Sequence, residues 1–188
     1  MRFKALVENT RSIRRFQENE AISDQDLTEL VDLARLAPSG RNLQPLKFFL
    51  SNTKSQNDLI FKTLSWAGYL KDWDGPAQGE RPSGYIVVLL DKSLTDKTID
   101  HGFAAQNIVL GAREKGLGSC ILKSVEKDKL AKDLSMPQHL EILMVIALGK
   151  PAEKIKIEQV KDNDIKYWRD DNEVLHVPKR SLQEIIIK

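Results

Sequence analysis

The sequence predicts a single domain in which a mixed β-sheet is covered by helices. Three observations predict it. The 188 residues, 41% hydrophobic and 30% charged, are enough to bury one core without staples. Short apolar runs of strand character are separated by segments of helical period. No repeat, low-complexity tract or internal boundary breaks residues 1–188.

The elements follow in chain order. Residues 2–9 read as a short amphipathic helix, and TRSIRRF after it is arginine-dense and alternating, as in an extended segment. Ser23 is a candidate N-cap, with Asp26 three residues on, and Leu27, Leu30, Val31 and Ala34 then recur at helical spacing. Pro38 disfavours helical geometry in the residue before it, so that helix ends near Ala37. LKFFLS reads as a buried strand, and residues 54–65 as a helix. Residues 66–84 hold two prolines and four glycines, which exclude long regular structure, while Trp66, Tyr69 and Trp73 argue against simple disorder. GYIVVLLD is apolar throughout, as expected of a strand covered on both faces. The longest helical pattern covers residues 95–115, with small residues Gly102, Ala104, Ala105, Gly111 and Ala112 permitting close helix approach and Gly116 as the stop. LGSCIL as a short strand, a helix over 125–135 and a strand at ILMVIALG complete the core. From residue 150 the chain reads as polar and irregular as far as SLQEIIIK.

Bulk properties exclude several functions. A net charge of +2 gives no global field for nucleic acid. No apolar run is long enough to span a membrane. The N-terminus MRFKALVENT lacks the apolar stretch of a secretion signal, so a cytoplasmic location is expected. Cys120 is the one cysteine, so no intramolecular disulfide forms, and no N-x-[ST] sequon is present.

The residues that carry chemistry are of other kinds. Arg11, Ser12, Arg14 and Arg15 fall within five positions. In an extended segment Ser12 and Arg14 share a face, and guanidiniums with a hydroxyl suit a phosphate dianion because the planar fork bonds two oxygens at once. The plain alternative is a solvated basic strip. A second basic pair, Lys179 and Arg180, lies far along the chain in VPKRSL. APSGRNLQPLKFFL gathers Ser39, Arg41, Asn42 and Gln44 directly before a strand. GAREKGLGSC has the glycine spacing of a phosphate loop, but Leu117 stands where that motif needs lysine. No G-x-G-x-x-G follows a strand, so a dinucleotide-binding fold is unsupported. His101, His139 and His176 lack metal-ligand spacing, G-x-S-x-G is absent, and Cys120 in an apolar strand reads as an inert core residue. With no metal site and no catalytic side chain, a cofactor is expected to carry any reaction.

TRSIRRF, APSGRNLQP, AAQNIVLGAREKGLGSCIL and VPKRSLQEII, in that order and at those spacings, resemble the FMN-dependent nitroreductase family over nearly the whole chain. The resemblance implies an α+β fold, with a mixed central sheet flanked by helices, and an intertwined homodimer holding FMN at its interface. By position, Arg11, Ser12 and Arg14 would hold the phosphate, ribityl chain and pyrimidine edge, with Lys179 and Arg180 completing the phosphate clamp. Pro38, Ser39, Asn42 and Gln44 would reach the flavin of the other subunit, and Leu117, Gly118 and Ser119 would present backbone groups near the flavin N5. Tyr69 and Trp73 are candidates to line the acceptor pocket; the plain alternative is structural packing. NADH or NADPH would donate hydride, and a nitroaromatic, quinone or free flavin would accept it, with no catalytic side chain required. Other flavin reactions on the same fold, namely dehalogenation, ring oxidation and flavin breakdown, stay open, as does a flavin-binding module without activity. The sequence departs from the family at Gly40, where many members carry a second serine, and at Leu46, where an aromatic residue often follows QP.

Overall fold

The computed structural model of the chain describes residues 2–188. Its centre is a four-stranded sheet in the order β1-β2-β4-β3, formed by β1 (Leu46–Ser51), β2 (Gly84–Asp91), β4 (Leu140–Gly149) and β3 (Gly118–Leu122). These four pair antiparallel. All eight residues of β2 are buried, because it lies inside the sheet with both faces covered. β1 is an edge strand, so LKFFLS, expected to be buried, is only partly so.

Side-chain alternation divides the core between the two faces. Tyr85, Val87 and Leu89 enter one cluster, while Ile86 and Val88 enter the other. β4 obeys the same rule until a bulge opposite Val88 and Leu89, where the pairing steps from Met144 to Ile142. The extra residue reverses the phase, so Met144 and Ile142 lie on opposite faces despite their even spacing.

One face is covered by α2 (Asp24–Arg35) and α4 (Asp100–Glu114). Ser23 caps α2 by accepting the Asp26 N–H at 3.0 Å, as its position predicts. The two helices touch at Gly111, where a Cβ would lie 2.3 Å from Leu33 Cδ1. α4 starts at Asp100 rather than 95, because the Thr98 hydroxyl accepts the Asp100 N–H at 3.0 Å and holds that residue at the helix start. The other face is packed by α3 (Lys54–Phe61), α5 (Lys127–Asp133), residues 66–73 and the segment around Ile13 and Phe16. Both helices are shorter than their periodic patterns, and the chain turns at Lys62 and Leu134.

The expectation that residues from 150 onward are irregular is corrected. They build a second sheet, β5-β7-β6, from β5 (Lys154–Gln159), β7 (Val174–Lys179) and β6 (Trp168–Arg169), and the short helix α6 (Leu182–Ile185) follows. KIKIEQ alternates, but its faces are largely exposed, and β7 carries Pro178, which lacks the N–H a strand donates. Such strands are held by pairing rather than burial. β5 and β7 run parallel, β6 and β7 antiparallel.

Candidate functional site

The arginine segment follows the short helix α1 (Phe3–Asn9) and is fixed along both sides. Ser12 pairs in parallel with Ser119 of β3, and the Ile13 N–H donates to the Ser119 carbonyl at 2.8 Å. Beyond it, Gln17 N–H donates to Lys150 O at 2.8 Å and Ala152 N–H to Arg15 O at 2.9 Å. Ile13 and Phe16 are buried, so the segment is anchored by its apolar residues. Ser12 and Arg14 then face one cleft, as extended geometry predicts.

That cleft, about 280 Å³, is lined by Thr10, Arg11, Ser12, Arg14, Tyr167, Val177 and Lys179. Lys179 arrives at the end of β7, so the two chain ends meet here through the second sheet. Among the described residues, Arg11, Arg14 and Lys179 form no ion pair, whereas Arg15 pairs with Glu80 and Glu173 and Arg169 with Glu153. Three cations without an ion pair at one concavity make it the candidate anion site. Arg11 also caps α1, its Nη2 donating to Val7 O at 2.8 Å. Arg180 lies outside the lining and is engaged elsewhere, its Nη1 donating to Glu184 Oε1 at 3.1 Å and Asn163 Oδ1 at 3.2 Å.

Arg14 is held in place from beneath. Glu153, its side chain 1% exposed, accepts the Arg14 backbone N–H at 2.9 Å and bonds Arg169 Nη2 at 2.5 Å. The Arg14 guanidinium lies 4.6 Å over the Tyr167 ring, and Tyr167 packs on Tyr69 with ring centroids 5.0 Å apart. Tyr69 thus borders the cleft through Tyr167. Trp73 packs against the core, with the guanidiniums of Arg169 and Arg15 at 5.0 and 6.0 Å from its ring.

The 38–44 loop lies elsewhere in the chain. Pro38, Ser39 and Gln44 line a second cavity of about 160 Å³ together with Asp100, while Asn42 is exposed. Burial works to raise the Asp100 carboxyl, but hydrogen bonds from Ser39, the Gly40 N–H and Thr98 outweigh it and hold the group below its usual range. Gly118 and Ser119 sit at the start of β3, and Leu117 N–H donates to Ala112 O at 2.8 Å, closing the end of α4 at Gly116, whose φ is +77°. Cys120 is buried behind Ser12, and burial pushes its thiol up to about 11.

Glu153, a lone acid in a polar stretch, carried no sequence signal. Tyr167 and Asp100 carried little more; the only hints were an aromatic in KYWRD and an acid at the opening of a helical pattern.

The family model described as "Nitroreductase family" matches residues 7–72 and 91–150, and the chain belongs to that family. A candidate NADH dehydrogenase/NAD(P)H nitroreductase of Archaeoglobus fulgidus is 27% identical over 158 residues, covering 79% of this chain and 85% of that protein. An iodotyrosine deiodinase of Thermotoga neapolitana is 24% identical over 163 residues, covering 78% and 87%. Among solved structures, a candidate nitroreductase in complex with FMN from Desulfovibrio desulfuricans superposes with a TM-score of 0.73 at 22% identity, covering 100% of this chain and 96% of that one. The α+β nitroreductase fold follows from these likenesses, with the parallel pairing located in β5–β7 and at Ser12–Ser119.

Proposed function

We propose that the protein is an FMN-dependent NAD(P)H oxidoreductase acting on nitroaromatics, quinones or related acceptors. The observation that carries the reading is the cleft where Arg11, Arg14 and Lys179 stand beside the Ser12 hydroxyl with no ion pair among the described residues. This donor set fits a phosphate monoester, and the Tyr167 ring beside it suits the apolar part of a flavin nucleotide. Bound there, FMN would supply hydride transfer from NADH or NADPH to the acceptor. The chain's own part is binding and orientation. Arg11, Ser12 and Lys179 would hold the phosphate end. Arg14, its backbone N–H held by Glu153 and its guanidinium by Tyr167, would place a positive charge beside the ring system and favour its anionic reduced form.

The 38–44 loop lines its own cavity and not this cleft, which favours a homodimer in which the loop of one protomer completes the site of its partner. Leu36, Ile99 and Phe103 are exposed near that loop, as are Ile185, Ile186 and Ile187 in the tail, and a second copy would cover them.

A second reading keeps the flavin and changes the acceptor. The Thermotoga neapolitana relative named as a deiodinase favours reductive dehalogenation as that alternative. Anaerobic absorbance spectra of the FMN-loaded protein decide between them. Bleaching by NADH or NADPH within seconds, and recovery on adding a nitroaromatic or quinone, are expected. A bound flavin that neither nucleotide reduces would contradict the proposal and favour the alternative.

A further inference from the structure

We propose that Asp100 is the positioning residue of the 38–44 loop, acting through the Ser39 hydroxyl, and that it leaves that hydroxyl able to accept from a ligand but not to donate. The inference deepens the proposed function, resting on it for the ligand but not for the loop.

Three residues of this loop, Arg41, Asn42 and Gln44, have left-handed backbones with φ of 54°, 56° and 50°. Side chains other than glycine disfavour that region, and asparagine tolerates it best. Something must therefore hold the loop in shape. Inside it, Asn42 N–H donates to Ser39 O at 2.9 Å, Leu43 N–H to Gly40 O at 3.1 Å and Gln44 N–H to Ser39 Oγ at 2.9 Å. Among the described residues, the hydrogen bonds that leave residues 39–44 all end on one carboxylate. Ser39 Oγ donates to Asp100 Oδ2 at 2.6 Å, and Gly40 N–H donates to Asp100 Oδ1 at 3.3 Å. Asp100 is 5% exposed and sits at the first turn of α4, a rigid support.

The polarity of Ser39 follows by counting. A serine hydroxyl has one proton and two lone pairs. An ionised carboxylate only accepts, so the proton is committed to Asp100. The Gln44 N–H occupies one lone pair. One acceptor position is left. At the proposed shared site Ser39 would therefore meet a ring N–H of the heterocycle and not a carbonyl oxygen.

The test compares Asp100→Ala, Ser39→Ala, the double variant and Asp100→Asn in the full chain. Amide hydrogen exchange is followed at Gly40 and Gln44 without added FMN, with amides of β2 as control. Each alanine variant should speed exchange at the two loop amides by about tenfold, with the double variant no faster than the faster single one. Asp100→Asn should stay within about threefold of the parent, because an amide can donate to Ser39 Oγ and accept from Gly40. That swap frees the Ser39 proton, so the visible spectrum of bound FMN should shift in Asp100→Asn. Multiplicative effects of the two alanine changes would overturn the positioning role, as would an Asp100→Asn variant as labile as Asp100→Ala. An unshifted flavin spectrum in Asp100→Asn would overturn the acceptor-only assignment. A parent protein that binds no FMN would sink the flavin reading, while the exchange comparison would still decide the role of Asp100.

Discussion

Ile13 donates its backbone N–H to the Ser119 carbonyl at 2.8 Å, and that bond joins the arginine segment to the strand that follows the glycine turn. Beside it, Gly118 and Ile13 are in van der Waals contact so close that a Cβ on Gly118 would lie 2.9 Å from Ile13 Cβ, Cγ1 and Cγ2. The two motifs therefore form one structural unit, and the placement of Ser12 and Arg14 depends on a missing side chain.

Gly118→Ala should accordingly destabilise the fold by about 1–3 kcal/mol through overpacking, read from denaturant midpoints. It should also weaken FMN retention, because the arginine segment must move away from β3. Ile13→Ala removes two of the three blocking atoms, Cγ1 and Cγ2, and leaves Cβ, so the double variant should lose less than the sum of the two single losses.

The Cys120 thiol should be inert. Burial pushes it up to about 11 from an ordinary value near 9, so it stays protonated in the folded protein at pH 8. No thiol reagent should label native protein at that pH, and unfolding in denaturant should expose one reactive group per chain. The sign of the stability effect follows from linkage. Between about 9 and 11 the unfolded thiol has lost its proton and the folded one has not, so stability should fall as pH rises through that interval.

His176 should make the second sheet pH-sensitive in the opposite region. Its ring nitrogens face Asp170 Oδ2 at 3.1 Å and Glu158 Oε1 at 2.9 Å, its ring stacks on Trp168, and Lys156 also bonds Glu158. Hydrogen bonds to Asp170 and then Glu158 raise its pKa above the usual 6.5. A raised basic group stabilises the fold fully below its unfolded pKa, and that contribution is lost as pH rises through the folded value. The amides of β7 should therefore exchange faster at pH 8.5 than at pH 6 after correction for intrinsic rates. His176→Phe, which keeps the stacking on Trp168, should abolish that dependence.

The strands of the central sheet and the helices α2 and α4 were legible because apolar residues recur there at the period each geometry imposes. β5 and β7 were not, since KIKIEQ and VLHVPK mix charge and proline with few buried positions; they are held by parallel pairing across about twenty residues of sequence, a contact that local composition does not encode. The candidate anion site was half legible. Arginine and serine spacing pointed to Arg11, Ser12 and Arg14, but the arrival of Lys179 depends on β7, and the diversion of Arg180 to Glu184 depends on the one-turn geometry of α6. The Ser39–Asp100 contact spans 61 positions and had no local signal at all.

The most direct test of the whole account is a comparison of FMN with riboflavin, which differ by the phosphate, in equilibrium titrations of flavin-free protein. Charge-assisted hydrogen bonds contribute about 1.5–3 kcal/mol each, so FMN should bind at least a hundredfold tighter than riboflavin at low salt. Lys179→Ala should cut that preference by about tenfold or more while leaving riboflavin affinity unchanged. Equal affinities for FMN and riboflavin, or a preference indifferent to Lys179, would contradict it.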